Sequence, residues 1–91
     1  MPHFKSGISD KIRRMVQKIN QVGVNNIRDY CDKHRHKLNF RRQLEIVRTA
    51  AQKGYTYAAY DLGMTRQGVE LALKRMYGIA LAVEKEVEDG K

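Results

Sequence analysis

Residues 56–75, TYAAYDLGMTRQGVELALKR, decide how the rest of the chain is read. Their apolar and glycine positions fit two short helices joined by a sharp turn, a helix-turn-helix. In this reading Thr56 caps the first helix, whose inward residues are Ala58, Ala59 and Leu62. Gly63 supplies the left-handed backbone that ends a helix without a Cβ clash, and Met64 plugs the gap between the two helices. Thr65 caps the second helix. Val69, Ala72, Leu73 and Met76 recur at three- and four-residue steps, so they form one buried stripe and leave Arg66, Gln67, Glu70, Leu71 and Lys74 outside. An ordinary αα-hairpin uses the same glycine stop and threonine cap. The helix-turn-helix is favoured by the joint spacing: small Ala59 four residues before Gly63, where two helices cross closely, and branched Val69 six after it, filling the angle between them.

Upstream, Asn39 is the expected cap of a supporting helix in which Phe40, Leu44, Val47, Ala50 and Ala51 repeat at helical spacing as far as Gly54. Arg41, Arg42 and Arg48 lie off that stripe, and Gly54 with Tyr55 turns the chain into the motif. Nearer the start, Ser9 is the expected cap of a first helix with Ile12, Met15, Val16, Ile19 and Val22 on one face, ended by Gly23. Asn25 or Asn26 then opens a second, with Ile27, Tyr30, Cys31 and His34 inward. Residues 1–7 carry no period and read as a loose arm. Downstream of Met76 the pattern continues through Tyr77, Ala80, Val83 and Val87, with Ile79 and Leu81 making that helix apolar nearly all round. Such a helix needs cover, which either the N-terminal helices or a second copy of the chain can supply; the second copy is the favoured reading, through Ile79, Leu81, Val83 and Val87, giving a homodimer.

With 91 residues, one proline, no tryptophan and abundant helix formers, the chain reads as one small all-α unit of about five helices. It divides into a basic helical extension over residues 1–37, packed on a core at 38–83, and an acidic tail at 84–91. A single cysteine excludes an internal disulfide, no apolar run is long enough to span a membrane, and no signal peptide is visible, so the expected location is the cytoplasm. Cys31, His34 and His36 do not make a zinc site, which wants four ligands. No metal, cofactor or small-molecule ligand is read from the sequence, and no nucleophile or acid–base pair converges to suggest an enzyme.

The 18 basic and 10 acidic residues leave a net charge of +8, the footprint of a polyanion partner. The excess is concentrated at the start, with nine basic and three acidic residues in 1–37, whereas 84–91 has two basic and four acidic. The run of residues 33–37, KHRHK, either grips phosphate or is a solvated surface, and the acidic end keeps that part of the molecule away from phosphates. The expected partner is therefore double-stranded DNA. Arg66 and Gln67 occupy the first turn of the second helix, where side chains reach base edges; arginine pairs bidentately with guanine and glutamine with adenine. Glu70 is positioned to accept from cytosine or to orient Arg66, and Leu71 to touch a thymine methyl. Thr56, Tyr57, Thr65, Lys74 and Arg75 are the expected phosphate contacts. Gly68, costly in a helix interior by about 1 kcal/mol, either permits close approach to the groove or is tolerated beside the cap.

The run LGMTRQGVELALKRMYGIA, with LEIVRTAAQKG before it, resembles plasmid repressors of the KorA or TrfB type, on the strength of Leu44, Glu45, Ile46, Arg48, Leu62, Gly63, Thr65, Arg66, Val69 and Ala72. The resemblance covers about half the chain and leaves residues 1–37 without a counterpart. It implies a homodimer that occupies a palindromic operator and silences transcription, with Arg66 and Gln67 at base-reading positions. Two other readings remain: a DNA-binding assembly protein of the phage-packaging or partition kind, and a helical interaction or inhibitor module that grips an acidic protein surface.

Overall fold

The structure, a computed structural model, describes residues 9–36 and 38–90. The arm expected over residues 1–7 lies outside them. Four helices account for nearly all of the described chain: α1 (Asp10–Val22), α2 (Val24–Lys33), α3 (Phe40–Leu62) and α4 (Arg66–Asp89). The count is four where about five were expected because the supporting helix and the one after it run together as α3. Within α3, Gly54 breaks the regular backbone at φ 84° and ψ 173°, a region open essentially to glycine alone, so the helix changes direction there without a loop.

Most ends follow from local chemistry. Ser9 Oγ accepts from the Ile12 amide at 3.2 Å, and Asn39 Oδ1 accepts from the Arg42 amide at 3.1 Å, each satisfying a donor with no partner inside its helix. Gly23, at φ 101°, ends α1 and begins α2 in a single residue. That corrects the expected cap at Asn25 or Asn26. Both asparagines lie inside α2, and Asn26 points backwards, its amide donating to the Val22 carbonyl at 2.7 Å and so closing α1. Thr56 is also not a cap. The interruption falls two residues earlier, at Gly54, and Thr56 is an exposed residue within α3.

All four helices feed one apolar core. α4 carries its longest stripe, Val69, Leu73, Met76, Ala80 and Val83, and α3 packs against it through Ile46, Val47, Ala50 and Ala58. Ile12, Met15 and Ile19 of α1 and Ile27 and Cys31 of α2 complete the cluster. The first two helices thus pack on α3 and α4 and contribute buried residues to the same core. His34, expected inward, is exposed; it follows the last turn of α2 and lies beside Glu86.

The dimer surface expected on α4 is corrected in part. Ile79 and Val83 are buried within the single chain: α1 and α2 pack on α4 and reach its end at Glu84 and Glu86, so the N-terminal helices supply cover expected from another copy. Leu81 and Val87 remain exposed, at 39 % and 61 %. Residues 84–89 form the last turns of α4 rather than a separate tail. Their carboxylates hold the helices together at this end: Glu84 accepts from Lys18 of α1 at 2.9 Å, and Glu86 meets Lys33 at 3.5 Å and His34 at 3.2 Å. Among the described residues no helix is long and apolar enough to cross a membrane.

Gly54, inside α3, and Gly63, between α3 and α4, are positive-φ positions where the chain changes direction around the motif. A Cβ at Gly63 meets nothing within 4 Å, so substitution there carries only the left-handed strain. Gly63→Ala is expected to lose about 1 to 2 kcal/mol of stability, Gly63→Asn clearly less, and Gly54→Ala more than either. Urea unfolding of the three variants checks the order. Equal stability of wild type and Gly63→Ala contradicts the left-handed turn.

Candidate nucleic-acid interface

The turn between α3 and α4 is built from three consecutive residues. Gly63, at φ 66° and ψ 35°, bonds back to the Tyr60 carbonyl at 3.4 Å, and the Met64 amide donates to the Ala59 carbonyl at 2.9 Å. Together these satisfy the closing carbonyls of α3 in the pattern of a Schellman motif. Met64 is half-buried against the core. Thr65 then adopts an extended backbone and its Oγ1 accepts from the Gly68 amide at 2.9 Å. Gly68 has a local reason: a Cβ there would sit 3.1 Å from Thr65 Oγ1, crowding the cap, and in ordinary contact with Met64 Cε at 3.4 Å.

From this start, α4 seals one side and shows the other. Val69, Ala72, Leu73 and Met76 are buried, while Arg66, Gln67, Leu71, Lys74 and Arg75 are exposed. At about 100° per residue, Gln67, Leu71 and Lys74 share the outermost stripe, with Arg66 and Arg75 on its two flanks. Leu71, a large apolar residue 56 % exposed, has no place in the core. The Arg66 guanidinium lies over the Tyr55 ring at 5.7 Å from its centre, a cation–π distance. Tyr55, just after the break at Gly54, is buried, and burial pushes its hydroxyl pKa up, with Glu70 adding to the rise and Arg66 opposing it.

Two side chains expected at the interface have partners within the chain. Glu70 is half-buried and paired with Lys74 at 3.2 Å, so its carboxylate is turned down the helix rather than toward Arg66. Thr65 spends an oxygen lone pair on the helix cap, leaving its hydroxyl proton to be donated outward. Thr56 and Tyr57 are both exposed on the last part of α3.

Two contributors escaped the sequence reading. Tyr60 is 85 % exposed, one turn from Tyr57, and its spacing outside the Ala58, Ala59 and Leu62 set was the available signal. Arg42 lies 20 positions before Leu62, yet donates from Nη2 to the Leu62 carbonyl at 3.3 Å and from Nη1 to Glu45 at 3.1 Å. It braces the turn from the start of α3, and nothing in local spacing announces that. Lys53 and Asp61 form a further ion pair across the break at Gly54.

Among the described residues no three His, Cys, Asp or Glu side chains converge as metal ligands. Cys31 is a free, buried thiol whose pKa is raised first by burial and then by Asp32. Comparison of the chain with known protein families, with characterised proteins and with solved structures gave no match.

The contact between Gly68 and the cap generates a double-mutant prediction. Thr65→Ala is expected to lose about 1 kcal/mol. Gly68→Ala should gain less than the roughly 1 kcal/mol that helix propensity offers in wild type, and nearly all of it in the Thr65→Ala background. Chemical denaturation of the four proteins measures the coupling. Additive effects show that Gly68 is not needed by the cap.

Proposed function

We propose that this chain binds double-stranded DNA sequence-specifically through a helix-turn-helix and represses transcription by occupying its site. The motif comprises residues 55–62, the turn of Gly63, Met64 and Thr65, and the opening turns of α4. One observation carries the reading: Arg66, Gln67 and Leu71 stand exposed on the first turns of a helix whose opposite side is sealed and whose start is locked by Gly63 and Thr65. A helix held in this way meets the geometric need of major-groove readout, where the first turn approaches base edges. The net charge of +8 supports a polyanionic partner.

In this reading Gln67 and Leu71 point into the groove and Arg66 enters from the side next to Tyr55. Thr56, Tyr57, Thr65, Lys74 and Arg75 meet the backbone phosphates, and Tyr60 joins them from the same stretch of α3. Repression requires only occupancy. The resemblance to plasmid repressors supports a plasmid, phage or bacterial host as the setting, and the cytoplasmic nucleoid as the place of action. Of the four residues expected to pair two copies on a palindrome, Leu81 and Val87 are the exposed ones, a small apolar surface that favours pairing that is weak away from DNA.

Selection from random duplexes with the purified protein tests the reading, and a two-fold symmetric consensus is the expected result. On the selected site Arg66→Ala should lose about 1 to 3 kcal/mol of binding and relax the base choice at one position per half-site. Equal weakening on selected and random DNA would make Arg66 a backbone contact only. Absence of duplex binding at low salt would leave the helical interaction module as the better reading.

A further inference from the structure

A second surface, formed by α1 and α3 and sharing no residue with the proposed DNA contacts, is a continuous trough. Its first part, about 270 Å³, is bounded by Arg13, Val16, Asn20 and Ala51. Its second, about 360 Å³, runs on from Val16 and Asn20 past Leu44 to Arg48. Beyond Leu44 and Arg48 a further recess, about 460 Å³ and lined by α3 alone, follows that helix to Arg41. Shared residues make the three one groove.

The groove is ordered by helical spacing. Arg41, Leu44, Arg48 and Ala51 lie along one side of α3, and Arg13, Val16 and Asn20 along one side of α1. The floor is apolar, with Val16, Val24, Leu44 and Ala51 half-buried over the buried Ile19 and Val47. The rim is cationic. Among the described residues Arg13, Arg41 and Arg48 enter no ion pair, and Glu45, the one carboxylate at the rim, is engaged by Arg42. From Arg41 to Gln52 the α3 side is about 16 Å long, the length of a three-turn helix.

We propose that this groove binds an amphipathic helix of another protein, one with an apolar stripe for the floor and acidic residues flanking it for the arginine rim. Charge decides the occupant. A two-fold contact between copies of this chain through the same groove would set arginine rim against arginine rim, which is unfavourable. The chain's own acidic segment is anchored elsewhere, since it forms the last turns of α4 and its Glu84 and Glu86 are paired with α1 and with the end of α2. A helix with leucines at i, i+3 or i+4 and i+7 fits the floor in the manner of helix-in-groove recognition, and glutamates beside them meet Arg13, Arg41 and Arg48. This assignment stands or falls independently of DNA binding.

The test uses the full chain and three designed 18-residue helical peptides: one with a leucine stripe flanked by glutamate, a scrambled peptide of the same composition, and a lysine-flanked version. Binding is followed by fluorescence anisotropy and mapped by NMR. The glutamate-flanked peptide is expected to bind at least about tenfold more tightly than the other two. Its shift changes should centre on Val16, Leu44 and Ala51, and the doubly substituted Arg13→Glu, Arg48→Glu protein should prefer the lysine-flanked peptide. Both substituted residues are exposed, and circular dichroism of that variant confirms that the fold is kept. Equal binding of ordered and scrambled peptides, or shifts centred elsewhere, overturns the proposal. So does a substituted protein that loses duplex affinity while its peptide binding is unchanged, since the arginines then hold phosphate. Concentration-dependent self-association that the two substitutions abolish overturns it too, in favour of a second copy.

Discussion

Gly63 holds a backbone conformation, φ 66° and ψ 35°, that a side chain with a Cβ adopts only at a cost, and the direction in which α4 leaves it sets where the exposed residues of that helix stand. The residues around it make the direction singular. Met64 bonds to the end of α3, Thr65 caps α4, and Arg42 reaches the Leu62 carbonyl from the far end of α3. With its first turn held by the turn before it and by the cap, α4 exposes Arg66 and Gln67 from a fixed start, because Thr65 satisfies one of the amides that otherwise have no partner there.

That turn works only because α4 is held along its length. α3 packs on it, and so do α1 and α2, which reach its end at Glu84 and Glu86. The burial of Leu73, Met76, Val69 and Ile12 is the stabilising term, since the ion pairs at Glu84 and Glu86 are partly exposed and each contributes under about 1 kcal/mol. The ion pairs matter more for where charge remains. They neutralise carboxylates at the far end of α4 against cations of α1 and α2, and among the described residues Arg13, Arg41 and Arg48 at the groove enter no ion pair. One small core thus supports two differently shaped surfaces, a projecting helix start and a recessed groove.

How much of this was readable depended on the distance over which each feature is decided. The stops at Gly23 and Gly63 and the caps at Ser9, Asn39 and Thr65 are settled within a few residues, and so is the buried stripe from Val69 to Met76; spacing alone reveals them. Thr56 was misread because a helix break and a cap leave similar marks nearby, and the break at Gly54 needed no threonine. Asn26 looks like a cap for the helix it lies in, yet serves the one before it. Ile79 and Val83 showed plainly that α4 needs cover, but a periodic pattern does not say which surface provides it, and α1 does so from some 65 positions away. The same blindness hid Lys18–Glu84 and the Arg42 brace. The proposed site was legible as a set of outward residues on a helix start, whereas the pairing of Glu70 with Lys74 and the stacking of Arg66 on Tyr55 required side-chain geometry.

The proposed function rests on the start of α4 being the surface that meets DNA. Amide chemical-shift mapping of the full chain titrated with a duplex tests it residue by residue, without relying on a variant. The account predicts that the largest changes fall on Thr65, Arg66, Gln67 and Leu71, with Thr56, Tyr57 and Tyr60 beside them, while Val16, Leu44 and Ala51 stay still. Changes concentrated on α1 and the groove, with the start of α4 unmoved, would contradict it.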